Sequence, residues 1–296
     1  MNKPMITKLL TLLILCVSSS FLWTACSQKM DSSSENISSN EDNTMSMGKK
    51  RAIDTKEISY TSDDGITMNG FMAMPAAAKE GANLPGVLVV HEWWGHNDYA
   101  RSRAMQLAEM GYAALAVDMY GDGTQAGHPE DAQKFAMSVM GNLESAQARF
   151  DEAYETLIET GIVNESKVAA IGYCFGGSVV LTMANLGKPL VGVVAFHGGL
   201  QLPAKPKADV TAEYLVLNGA ADPFVKAEDI SNFKAMMDEA ELNYTFINYK
   251  NAVHAYTNPG ADSLGKKFNL PLAYQAEADS ASWAEMQRFL ASIFSK

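Results

Sequence analysis

Between Val168 and Val180 the chain reads Val-Ala-Ala-Ile-Gly-Tyr-Cys-Phe-Gly-Gly-Ser-Val-Val: an aliphatic run, a glycine-flanked corner, then a helical stretch. A residue held between a buried strand and the start of a helix takes a strained backbone conformation that lifts its side chain above the sheet. Its neighbours two before and two after come so close that side chains there would collide. Gly172 and Gly176 meet that need. The helix opening at Gly176 aims its dipole and free N–H groups at the sulfur of Cys174, which suits a thiolate. Taken alone, the segment also fits a buried, inert cysteine before a helix.

The rest of the chain alternates in the same way. Lys56–Tyr60 and Ile66–Met74 flank Thr61-Ser-Asp-Asp-Gly65 and read as a hairpin. Gly86–Val90, Tyr112–Val117, Val168–Gly172, Leu190–Phe196, Tyr214–Leu217 and Tyr244–Tyr249 read as strands. Helical patterns mark Tyr99–Met110, Pro129–Met140, Leu143–Thr160, Gly176–Asn185, Lys226–Ala240 and Ser280–Ile293. The expected fold class is α/β: a mostly parallel central sheet with helices on both faces and an N-terminal antiparallel hairpin. No internal repeat or second linker interrupts it, so residues 51–296 are expected to form one domain.

Two later strand ends carry chemistry. Tyr214–Leu217 runs into Asn-Gly-Ala-Ala-Asp222-Pro, and Tyr244–Tyr249 into Lys-Asn-Ala-Val-His254-Ala-Tyr. In a parallel sheet these ends share one crevice. Asp-Pro is a common turn pair and a lone histidine is usually structural. Nucleophile, acid and histidine in this order, each on a strand-end loop, are nevertheless the chain order of an α/β-hydrolase triad.

GYCFGG, the GAADP loop and the VHAY loop together resemble the dienelactone hydrolases, α/β-hydrolases with a cysteine nucleophile. The resemblance extends to His91-Glu-Trp-Trp-Gly95 and to Thr257-Asn-Pro-Gly-Ala-Asp with Leu270-Pro-Leu-Ala-Tyr, and covers roughly residues 55–296. It implies that Cys174 attacks a carbonyl, His254 moves the proton and Asp222 orients the imidazole. It also implies that the N–H groups of Phe175 and Trp93 hold the oxyanion and that Glu92 holds the resting thiol. For Glu92 a loop salt bridge or helix cap is the alternative. Trp94, His197 and Asn258 are expected at the substrate pocket, although the Trp93–Trp94 pair could equally serve packing and His197 could be a satisfied structural residue.

The family's best-known reaction opens a lactone bearing a carboxylate, for which arginine is the natural partner. Here no arginine falls between positions 120 and 148, where Lys134 is the only cation, and Asn258 stands where a second anchor is expected. Arg101, Arg103, Lys266 and Lys267 are the possible substitutes. A neutral small ester or lactone therefore fits better than the anionic dienelactone. Carbohydrate-linked esters, thioesters and a non-catalytic binding role are the other readings.

Ahead of the domain, Lys3 and Lys8 precede the apolar run Leu9–Val17, the pattern of a secretory signal too short for a membrane span. Leu22-Trp-Thr-Ala-Cys26 resembles a bacterial lipobox, with Trp23 in a usually aliphatic place. Residues 1–26 are thus expected to be a lipoprotein-type signal peptide with Cys26 lipidated; an ordinary signal-peptidase cut nearby is the alternative. Residues 27–50, rich in Ser and Asn without apolar periodicity, are expected to be a flexible tether. The expected location is the bacterial cell envelope, with the membrane reached only through the lipid on Cys26. Cys16 would leave with the signal, so Cys174 would be the one free thiol of the mature chain.

Other partners are not supported. The net charge of −11 offers no footprint for nucleic acid. His91-Glu-x-x-x-His96 resembles a zinc motif, but its histidines are five apart, about 140° around a helix, and do not share a face. His128, before Pro129, reads as loop chemistry. No Gly-x-Gly-x-x-Gly follows a strand, so neither metal nor cofactor is expected, and the protein is expected to act as a monomer on a small molecule.

Overall fold

The hairpin forms as its alternation requires. β1 (Ile53–Thr61) and β2 (Thr67–Pro75) pair antiparallel from Ile53↔Pro75 to Thr61↔Thr67, around a turn in which Gly65 takes a φ of 78°. These are the first elements of a computed structural model that describes residues 51–296. The signal peptide, Cys26 and the 27–50 tether lie outside the described residues.

β2 also pairs antiparallel with β4 (Ala113–Val117). From there the sheet is parallel: β3 (Leu84–Val90), β5 (Val163–Tyr173), β6 (Gly192–Phe196), β7 (Glu213–Gly219) and β8 (Tyr244–Tyr249). The order across the eight strands is β1-β2-β4-β3-β5-β6-β7-β8. The α/β class, the mostly parallel sheet and the antiparallel hairpin edge are as expected.

Period-two alternation splits the aliphatic strands between two cores. Leu88 and Val90 of β3 and Val168 and Ala170 of β5 face one layer. That layer is built from α3 (Leu143–Ile158), α4 (Phe175–Asn185) and α5 (Ala227–Glu239), through Phe150, Val179 and Phe233. Val87, Val89, Ala169 and Ile171 face the other, built from α1 (Asp98–Met110) and α7 (Ala276–Phe294) through Leu107 and Leu290. Both faces are covered, which is why the strands are apolar without interruption. The Asn97 side chain caps α1 by accepting the Tyr99 N–H (3.1 Å), and Gly111, at φ 107°, ends it.

Some boundaries differ from expectation. β5 begins at Val163 rather than Val168, because Asn164–Lys167 is polar strand at the exposed end. α7 begins at Ala276, and α3 ends at Ile158. One further helix, α6 (Ala261–Phe268), lies outside the helical spans read from the sequence. Its Gly265 breaks the helical pattern in sequence, yet a Cβ there would lie 2.5 Å from the Leu272 carbonyl oxygen, so the returning chain requires glycine. α2 (Pro129–Met140) coincides with its predicted span and lies near the carboxyl ends of the strands. Those ends carry Glu92 and Trp93, Cys174, His197, Asp222 and His254.

Candidate active site

β5 ends at Tyr173 and α4 begins at Phe175, leaving Cys174 alone at the corner with φ 55° and ψ −114°. This left-handed conformation costs a non-glycine residue about 1–3 kcal/mol and persists only where its surroundings over-determine it. They do so here. A Cβ on Gly172 would lie 2.1 Å from the Gly176 carbonyl oxygen, and one on Gly176 would lie 2.3 Å from the Val90 oxygen. The Cys174 N–H is shared between the Phe196 carbonyl (3.0 Å) and Nδ1 of His197 (3.1 Å). The thiol is free and half-buried.

His254 and Asp222 reach the same place from the ends of β8 and β7. His254 Nδ1 donates to Asp222 Oδ2 over 2.7 Å, and the other carboxylate oxygen accepts the Phe224 N–H at 2.8 Å. With Nδ1 committed, Nε2 is the ring nitrogen left to interact with Cys174. Burial works against a charged imidazole. The negative charge of a Cys174 thiolate, the hydrogen bonds to Asp222 and Cys174, and the Asp222 charge outweigh it and hold His254 well above its ordinary range.

The loop after β3 faces the corner. Gly176 N–H donates to the His91 carbonyl (3.1 Å), and the Tyr120 hydroxyl donates to the Trp93 carbonyl (2.9 Å), fixing the loop against α4. Among the described residues, no carbonyl pairs with the N–H of Trp93 or Phe175. Glu92 is buried beside them, but its hydrogen bond differs from expectation. Asn258 Nδ2 donates to its Oε2 at 2.6 Å, while Cys174 takes His254 as partner. Burial pushes the Glu92 carboxyl up to about 7, against the opposing pull of the Asn258 amide, His254 and Arg103.

The model of the dienelactone hydrolase family matches residues 68–294. The chain belongs to the dienelactone hydrolase family. It is a carboxylic ester hydrolase of the α/β-hydrolase fold. Among curated relatives, a Methylorubrum extorquens protein named "Putative carboxymethylenebutenolidase" is 26% identical over 242 residues, 78% of each chain. Among solved structures, m3DLH is 35% identical with a TM-score of 0.76, covering 82% of this chain and 99% of its own. A dienelactone hydrolase-like promiscuous phosphotriesterase from metagenomic libraries is 33% identical with the same TM-score and the same coverage.

The cavity of this dienelactone hydrolase family member, about 560 Å³, opens over Cys174 and His254. Trp93 and Phe175 line it; Trp94, His197 and Asn258 do not. Trp94 turns away to stack on Phe268 (ring centroids 5.7 Å apart) in a satellite core with Ala132 and Ala255. Asn258 sits behind Glu92, its oxygen accepting the Gly260 N–H at 2.8 Å. His197, at φ 40°, turns beneath the corner, where its Nε2 bonds the Thr257 hydroxyl at 2.8 Å. Burial, followed by the positive charges of His254 and Arg103, holds its pKa well below the ordinary range.

The candidate cationic anchors are engaged elsewhere. Arg103 bonds Asp279 Oδ1 (2.6 Å) and the Thr257 carbonyl (2.7 Å), and Arg101 pairs with Glu57 at the surface. Lys266 and Lys267 lie on α6 and do not line the cavity. Residues that sequence reasoning missed include Ala136, Met137 and Met140 on α2, and Phe224 and Leu272 beside His254. A signal was present for α2: Ala136 and Met140 are spaced i, i+4 on one apolar face of the helix, which packs at the edge of the first core.

Proposed function

We propose that the protein hydrolyses small neutral esters or lactones with Cys174 as nucleophile, through a thioacyl intermediate. The alignment of Cys174, His254 and Asp222 at a strained strand-to-helix corner carries this reading. His254 Nε2 takes the thiol proton while Nδ1–H stays with Asp222, and the sulfur adds to the carbonyl carbon. The carbonyl oxygen becomes an oxyanion held by the N–H groups of Trp93 and Phe175. As the C–O bond breaks, the imidazolium gives its proton to the departing alkoxide. Water then attacks the thioester, losing a proton to His254, and collapse of the second tetrahedral intermediate releases the acid and restores the thiol.

The reading of a neutral substrate is supported by the cavity lining, in which no Lys or Arg stands among the described residues. The test is Cys174→Ala with p-nitrophenyl butyrate, together with intact-mass detection of an acylated enzyme under rapid quench. Abolished turnover in a folded variant and a butyryl adduct that maps to Cys174 are expected. Unchanged turnover would overturn the mechanism. For location, the proposal is a lipid anchor on Cys26 in the bacterial envelope. Labelled palmitate should enter the full chain and not Cys26→Ala.

A further inference from the structure

Among the described residues, two large apolar side chains stand well exposed: Met137 (64%) and Phe224 (51%). Single exposed apolar residues are ordinary on a protein surface. These two are not scattered. Both border the cavity over Cys174, and they reach it from different elements, Met137 from α2 and Phe224 from the turn that follows Asp222. Water-facing apolar groups gathered at the mouth of a reactive site mark a surface that a ligand covers.

The interior of the cavity carries the same character. Ala136 and Met140 continue the α2 wall, and Leu272 lies against the histidine loop, bridged to His254. Among the described residues, no Lys, Arg, Asp or Glu lines it. The two polar side chains away from the reacting centre are already engaged. The Ser178 hydroxyl donates to the Gly199 carbonyl (2.9 Å), and the Gln201 amide donates to Asp229 (2.9 Å). A carboxylate entering this wall would lose hydration without meeting a Lys or Arg, whereas a hydrocarbon chain would gain by leaving water.

Acyl transfer then decides which part of the ester meets which wall. The carbon bonded to Cys174 Sγ directs its oxyanion to Trp93 and Phe175. The departing oxygen must face His254 to receive a proton, so the alcohol lies on the His254 side. There the Phe224 ring meets the imidazole edge-on at 5.0 Å, with Leu272 beside it. The acyl substituent points the other way, toward α2.

We infer that the site selects neutral esters with an aliphatic acyl chain, laid along Ala136, Met137 and Met140, and with the alcohol against Phe224 and Leu272. The inference rests on the Cys174–His254 acyl transfer proposed above and adds the substrate class and its direction in the cavity.

The test is a series of p-nitrophenyl acetate, butyrate and hexanoate, with the succinate half-ester as a charged counterpart of butyrate. Each methylene that the wall covers is expected to raise kcat/KM by up to about fourfold. Hexanoate should therefore exceed acetate, and butyrate should exceed the half-ester by at least tenfold. Ala136→Phe, which fills the α2 wall, and Met137→Asn, at the exposed lip, should each reduce the hexanoate-to-acetate ratio. Phe224→Asn should leave that ratio near the wild-type value while altering the preference between phenyl and ethyl acetates. A half-ester turned over as well as butyrate would overturn the substrate class. An acyl ratio governed by Phe224 and not by α2 would overturn the direction. Failure of the acyl-transfer reading itself looks different: wild-type protein would neither turn over acetate nor acquire an acyl group on Cys174.

Discussion

His197 Nδ1 accepts the backbone N–H of Cys174 at 3.1 Å, so a buried imidazole braces the strained residue at the corner from beneath. Since Nδ1 accepts, the proton resides on Nε2 and is donated to Thr257, whose hydroxyl meets the Tyr99 hydroxyl at 2.6 Å. Burial keeps this histidine neutral, which the accepting role requires. His197→Phe would leave the Cys174 N–H with the Phe196 carbonyl alone. It is expected to lower kcat by about tenfold, equivalent to roughly 1.4 kcal/mol, with little change in KM. His197→Asn, which retains an acceptor, should recover part of the loss. Equal losses in both variants would show that bulk, not the hydrogen bond, supports the corner.

Glu92 predicts a pH-dependent stability. Burial raises its carboxyl to about 7, whereas a glutamate in the unfolded chain titrates near ~4.3. Between these values the folded protein keeps a proton that the unfolded chain has released. Stability therefore falls as pH rises through this window, by roughly 4 kcal/mol for a shift of this size. Glu92→Gln cannot ionise and should remove that part of the decline. Urea unfolding at several pH values from 4.5 to 7.5 measures it as the difference between variant and wild type. A difference that does not change with pH would refute the assignment.

Arg103 is predicted to stabilise the fold and not to recruit substrate. Its guanidinium is buried, bonded to Asp279 and the Thr257 carbonyl, and lies over the rings of Tyr99 (5.2 Å) and Trp283 (4.9 Å). Arg103→Met leaves Asp279 without its ion partner and should cost about 3–5 kcal/mol in chemical denaturation. The selectivity between butyrate and succinate half-esters, taken as a ratio, should stay within about twofold. A collapse of that ratio would restore Arg103 as an anchor.

The parts of the site that were legible in sequence are those dictated by the backbone. Glycine at 172 and 176 is demanded by carbonyl oxygens that a side chain would strike, so the corner announces itself in residue types. Asp222 and His254 were legible because parallel strands deliver their carboxyl ends to one edge. What sequence could not give was the direction of side chains leaving those ends. His197 sits on the anticipated loop, yet its positive φ turns the ring under Cys174 and out of the cavity. Trp94 follows Trp93 directly, and the turn between them sends one ring to the cavity and the other to Phe268. Asn258 stands where the resemblance expects an anchor; its amide instead answers a buried carboxyl that spacing alone does not reveal.

One hydrogen bond in the site has a kinetic consequence. The Gly176 N–H to His91 carbonyl bond joins the α4 turn to the loop after β3, and the N–H groups of Phe175 and Trp93 sit on either side of that tie. On the proposed mechanism these are the oxyanion donors, and the tie joins the two segments that contribute them, far apart in sequence, before any carbonyl arrives. A ligand entering between them would meet a cleft whose two sides are already joined by that bond. Differences in rate among substrates should then report how each fits the walls, because none of them has to close the cleft first.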